Sequence, residues 1–210
     1  MYMHGGLEQM TLRLIVTRLQ LSNKKFITGE ELREYCKEIN LDYYTTIRYL
    51  TYNRYLARIF KGIFYIKSIE ERKLNKTDMS YLEIIKNALG IKGIKKWYFG
   101  LETALKLNNL THEYFTIDSV ISDSLFRAKP IAILGRKIKF VKISPKLISF
   151  GIKKNNLLYS DSEKTALDLL YLKRYSKSEF SELSKKLSKN KIIKYSKFYD
   201  KRVKGAVREL

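Results

Sequence analysis

Asp161, Glu163 and Lys164 stand together in the stretch SDSEKTALD. Carboxylates beside a lysine are the groups a metal-dependent nuclease uses to hold a cation and activate water. Such an enzyme wants its Glu-x-Lys on a strand with an Asp from a neighbouring strand. Here the residues open a helix instead. Ser160 and Glu163 have capping-box spacing, and Ala166, Leu167, Leu169, Leu170 and Leu172 follow at helical intervals. Capping accounts for Glu163, so no catalytic residue is expected and the chain reads as a non-enzyme. Its two histidines, His4 and His112, are far apart, and Cys36 lies on the inner face of a helix. Neither offers metal-ligand spacing, and no phosphate-binding or dinucleotide loop is present, so no metal and no cofactor are expected.

A second set of residues points to recognition rather than catalysis. From Asp42 to Lys67 the chain reads DYYTTIRYLTYNRYLARIFKGIFYIK. Asp42 is placed to cap a helix whose inner face carries Tyr43, Ile47 and Leu50. Tyr44, Thr45, Arg48, Tyr49 and Tyr52 then point outward, a face of hydrogen-bonding groups with one cation. After Leu56 the pattern turns to near-alternation about a Lys61-Gly62 tip, with Arg54, Arg58, Lys61 and Lys67 as its cations. A polar recognition helix followed by a basic hairpin is the layout of a winged helix-turn-helix, in which the helix enters the major groove and the hairpin's cations meet phosphates.

The elements that must position this face precede it. Glu8–Leu21 has Leu12, Ile15, Val16 and Leu19 at helical spacing, and Phe26-Ile27 is a short extended piece. Thr28 and Glu31 form a capping box before a helix with Leu32, Tyr35, Cys36 and Ile39 inward. Residues 1–67 are therefore expected to be a winged helix-turn-helix domain. The DNA-contacting set is Lys24, Lys25, Tyr43, Tyr44, Thr45, Thr46, Arg48, Tyr49, Tyr52, Arg58 and Lys61.

Composition supports a polyanionic partner without locating it. The 210 residues carry 42 Lys+Arg against 21 Asp+Glu, a net charge of +21. Residues 1–67 hold 11 basic and 6 acidic side chains, whereas residues 176–210 hold 11 and 4, so the positive charge is densest at the C-terminal end. A single cysteine fits a reducing compartment, and there is neither a signal-peptide layout nor an apolar run of membrane-spanning length. A cytoplasmic protein with no membrane partner is expected.

Beyond the first domain the polar stretch 68–78 reads as a linker. Residues 79–175 read as a mixed α/β domain, with helices over Met79–Leu89 and Gly100–Leu107 and a strand over Ile94–Phe99. Short β-like runs follow at Tyr114–Ile117, Val120–Ile121, Ile131–Leu134, Ile138–Ile143, Leu147–Phe150 and Leu157–Tyr159. Residues 176–210 form a Lys-rich helical tail that could be a solvated appendage, a packing helix pair or a second contact to nucleic acid. The fold class is α+β.

The segment LTYNRYLARIFKGIFY (Leu50–Tyr65) resembles the helix-to-wing sequence of AbiEi-type repressor–antitoxins of type IV toxin–antitoxin, abortive-infection systems. Tyr98–Leu105 (YFGLETAL) is similar to the family's strand-then-helix segment, and Ser160–Asp168 to its "E-K-A/T-x-x-D" helix start. The resemblance spans roughly residues 8–175. It implies a transcriptional repressor that binds an inverted repeat in its own promoter as double-stranded DNA, as a monomer or DNA-induced dimer. It also implies antiviral defence against phage by countering a nucleotidyltransferase-like toxin, in a family described as acting without a stable toxin complex. The alternatives from the residues alone are a nuclease targeted by the winged helix and an interaction protein whose basic tail binds an acidic partner.

Overall fold

The computed structural model describes residues 4–210, with side chains from Met10 onward. The chain is α+β and divides into two compact units, 1–93 and 94–210. In the first, helix α1 (His4–Leu21) leads through strand β1 (Phe26–Thr28) to helices α2 (Gly29–Glu38) and α3 (Tyr43–Tyr52). Strands β2 (Leu56–Phe60) and β3 (Ile63–Ile66) follow, then helices α4 (Ile69–Leu74) and α5 (Tyr81–Ile91). The three strands form an antiparallel sheet in the order β1-β3-β2.

Two caps expected at the helix starts are present. The Asp42 carboxylate accepts from the Thr45 N–H at 2.7 Å, and Thr28 and Glu31 form a reciprocal capping box. Leu32 and Cys36 of α2 and Leu50 of α3 join Ile15, Leu19, Ile27, Phe64 and Ile66 in one core. Burial raises the Cys36 thiol above its ordinary value, in keeping with this inner position.

The stretch 68–78, expected as a linker, is not one. Ser68 and Glu71 close a capping box on α4, and Glu71 is buried, accepting from the Tyr65 hydroxyl and from the Asp78 N–H. The helix over Met79–Leu89, expected in the second domain, belongs to the first as α5. The reason is the sheet. Phe64 and Ile66 face α1–α3, so Ile63 and Tyr65 point to the opposite face. Both are buried too, and α5 packs on β2 and β3 from that side with Ile84, Ile85, Ala88 and Leu89 buried. A sheet apolar on both faces must be covered on both.

The second unit holds a six-stranded mixed sheet in the order β6-β7-β5-β4-β9-β8. Its strands are β4 (Trp97–Phe99), β5 (Ile117–Ser122), β6 (Ile131–Ile133), β7 (Arg136–Lys142), β8 (Ile152–Lys154) and β9 (Leu158–Ser160). Residues near Leu147, expected to be extended, form a 3-10 turn over Pro145–Leu147, where Pro145 starts the turn. The helices are α6 (Leu101–Leu107), α7 (Ser162–Tyr171), α8 (Lys177–Ser184), α9 (Lys189–Ser196) and α10 (Lys201–Arg208). Residues 176–210 are thus three helices packed into the core of this unit. Phe180, Ile192, Tyr199, Val203 and Val207 are buried against Leu167, Leu169 and Leu170 of α7, so the Lys-rich segment is no solvated appendage.

Candidate nucleic-acid interface

Helix α3 presents a stripe of exposed side chains at successive turns. Tyr44, Arg48 and Tyr52 recur every fourth residue, Tyr44 at 69% and Tyr52 at 85% exposure, with Thr45 exposed beside them. Large aromatic rings that stay in water on a helix whose other face packs a core are available for a partner. Leu50 anchors the packed face, with Tyr43 and Ile47 half-buried.

Thr46, expected on the contacting surface, is buried. Its hydroxyl donates to the Asp42 carbonyl at 2.7 Å, and it lies against the Cys36 thiol. Position 46 is four residues before Leu50, which brings it to the inner face that a list of polar types overlooks. Tyr49 is half-buried and stacks on Tyr55, ring centroids 6.3 Å apart. Lys24 and Lys25 are engaged by acids, Lys24 by Glu31 at 2.8 Å and Lys25 by Asp78 at 2.8 Å. Lys67 is buried, its carbonyl accepting from Gln20.

The β2–β3 turn carries the remaining cations. Lys61 is exposed at its tip, and Arg58 is exposed on the edge strand β2, paired with Phe64 and therefore on the sheet face that also packs α1–α3. The register shifts between Arg58 and Phe60, a bulge that increases the twist of the ribbon. Gly62 holds the tip with φ +74, a conformation that favours glycine.

Gly29 ties the turn to the helices. Its N–H donates to the Gly62 carbonyl at 2.8 Å, and the Tyr43 hydroxyl sits where a Gly29 Cβ would be, only 2.6 Å away. The N-terminus of α2, the start of α3 and the β2–β3 turn therefore meet at one residue without a side chain. Arg33 of α2 adds a cation that the sequence pattern did not single out. Its guanidinium lies 4.5 Å from the centre of the Tyr43 ring, which in turn meets Tyr44 edge-on at 5.2 Å.

The acidic cluster of the second unit is engaged internally. Asp161, not Ser160, is the N-cap of α7, accepting from the Lys164 N–H at 2.9 Å. The Ser160 hydroxyl instead bonds the Thr165 hydroxyl at 2.7 Å. Lys191 of α9 bridges Asp161 and Glu163, 2.9 Å from each, and this pairing holds Glu163 below the usual glutamate value against the effect of its burial. Lys164 is buried and paired with Asp168. Among the described residues no group of three or more His, Cys, Asp or Glu is placed to hold a metal ion. None of the helices is long and apolar enough to cross a membrane among those residues either.

No family model matches this chain, and no curated protein matches it in sequence. Among solved structures it is similar to the RV2827C protein from Mycobacterium tuberculosis. The match has a TM-score of 0.62 at 11% identity and covers 95% of this chain and 75% of that one. At that identity the likeness speaks for the fold.

Proposed function

We propose that the first unit is a winged helix-turn-helix and that the protein is a sequence-specific DNA-binding repressor. The observation that carries this reading is the Tyr44–Arg48–Tyr52 stripe of α3, joined through Gly29 to a β2–β3 turn bearing Lys61. In this reading α3 enters the major groove, with Arg48 and the tyrosines reading base edges, while Lys61 and Arg58 meet phosphates. Arg33 lies on the helix before the recognition helix, where a backbone contact is made in this class of motif. The resemblance of Leu50–Tyr65, Tyr98–Leu105 and Ser160–Asp168 to AbiEi-type proteins extends the proposal. The protein would repress its own operon and act, through its second unit, as the antitoxin to a nucleotidyltransferase-like toxin.

Footprinting of the purified protein on the DNA upstream of its own reading frame tests the first part. Protection of an inverted repeat, lost for Arg48→Ala, is the expected result. Equal, salt-sensitive binding to any duplex would leave only a cationic surface and overturn sequence-specific repression. Rescue of growth on co-expression with the product of an adjacent toxin-like reading frame tests the second.

A further inference from the structure

Helix α1 carries two apolar faces. Leu12, Ile15 and Leu19 are buried, the last two in the core of the first unit. Met10, Leu14 and Leu21 instead stand in water at 63%, 56% and 76% exposure. Together with Thr17, also exposed, these outer residues recur at intervals of four, three and four, the heptad spacing of a coiled-coil seam. At about 100° per residue the inner and outer sets lie half a turn apart, so packing of the first unit uses only one of them.

A row of large apolar side chains on a surface helix marks a contact surface, and its pattern selects the occupant. A seam at heptad spacing fits a second helix of the same spacing, and α1 of another copy supplies one. In a two-fold pair each copy offers the same patch. The flanking residues then fix the direction. From Met10 to Leu21 the helix has no carboxylate, and Arg13 and Arg18 border the seam on either side. In a parallel pair Arg13 of one copy would meet Arg18 of the other, with no acid on the helix between them. In an antiparallel pair Arg13 comes beside Gln20 and Arg18 beside Thr11. Gln20 already donates its amide nitrogen to the Lys67 carbonyl at 3.0 Å, which leaves its oxygen for Arg13. Arg18 is held within its own copy by Glu38 and lies 3.7 Å from the centre of the Tyr35 ring.

We propose that α1 pairs antiparallel with α1 of a second copy, Leu14 packed on Thr17 and Met10 on Leu21. The seam is short. Met10 and Leu21 are about 16 Å apart along the axis, so three large side chains from each copy fall short of the roughly 800 Å² per partner of a standard interface. The free protein is therefore a weak dimer. A duplex holding two copies on an inverted repeat raises their effective concentration and completes the pair. The pairing stands apart from the repressor reading, whereas its use on DNA rests on that reading.

The pair is tested first on the full-length protein without DNA. Sedimentation equilibrium should show a reversible dimer at submillimolar protein, weakened about tenfold or more by Leu14→Gln, an exposed change that keeps charge and helix propensity. Direction is read by mixing Met10→Cys protein with Leu21→Cys protein and adding a short bis-maleimide, for which the buried Cys36 does not compete. Mixed adducts should dominate, because the two copies of position 10 lie about 16 Å apart along an antiparallel pair. Adducts of Met10→Cys with itself would show a parallel pair and overturn the proposal. So would a monomer at every concentration, or a dimer indifferent to Leu14→Gln. On a duplex with two half-sites the second copy should bind about tenfold more tightly than the first. Leu14→Gln should remove that advantage and leave affinity for a single half-site unchanged; an advantage that survives it would count against the pair. A dimer that forms while all specific DNA binding is absent would strike the repressor reading alone.

Discussion

The Lys164 ammonium lies 3.1 Å from the Asp168 carboxylate, one helical turn further along α7, and neither side chain has any exposure. Asp168 also accepts from the hydroxyls of Tyr98 at 2.7 Å and Tyr199 at 2.6 Å. One carboxylate thus joins β4, α7 and the Tyr199 turn before α10. Removing one partner of a buried pair leaves an uncompensated charge, which costs about 3–5 kcal/mol. Asp168→Leu should lower the stability of the second unit by that amount in urea unfolding followed by Trp97 emission. Adding Lys164→Met should restore much of it; a loss that grows in the double variant would show that the pair is not the source.

Alkaline pH should unfold the same region. Burial, reinforced by Asp168, raises the Tyr98 and Tyr199 phenols well above the ordinary value. Above about pH 10 the unfolded chain releases these protons while the folded chain keeps them, so stability present below that pH is lost as pH rises. Lys164 acts in the opposite sense, since burial lowers its value and the folded state gives up that proton first. Two phenols outweigh one amine. The urea midpoint should fall between about pH 9 and about pH 11, and Tyr199→Phe should make the fall shallower.

Two glycines with similar backbone angles should respond differently to alanine. At Gly62, with φ +74 and nothing near its Cβ position, Gly62→Ala should cost only the left-handed penalty of about 1–2 kcal/mol. At Gly151 the same penalty is joined by a clash with Lys164 at 2.9 Å, so Gly151→Ala should cost clearly more. Equal losses in thermal unfolding would contradict the packing around Gly151.

Thr46 and Arg48, two positions apart on α3, should separate binding from folding. Thr46→Val removes a buried hydroxyl and should cost about 1 kcal/mol of stability with DNA affinity unchanged. Arg48→Ala should leave stability within about 0.5 kcal/mol and lower specific DNA affinity by about 1–3 kcal/mol. Lys61→Ala should weaken binding to every sequence alike and reduce the salt slope by about one. Calorimetry and gel-shift titrations at two salt concentrations give both readouts.

Much of the first unit was legible because its signals are local. Asp42, Thr28 and Glu31 announce their caps by type and spacing, and Leu32, Cys36 and Leu50 announce a packed face by period. What escaped depends on the third dimension. Thr46 is polar yet inward, because position along the helix, not residue type, sets direction. Lys24 and Lys25 look like free cations until folding brings Glu31 and Asp78 beside them. The charged text of 68–78 conceals a helix because Glu71, polar by type, is buried by its bond to Tyr65. In the second unit, Asp161 displaced Ser160 as the cap of α7, a choice between adjacent good cappers that spacing cannot make.

The covering of the small sheet by α5 sets where the protein can be cut. A fragment ending at Lys67 would keep every residue of the α3 face but leave Ile63 and Tyr65 bare on an apolar sheet surface, with β2 as an open edge. Such a piece is a template for self-association, and its aggregation would be mistaken for an inability to bind. The shortest fragment that can stand alone ends after Ile91, so the sheet behind the α3 face carries its own backing plate.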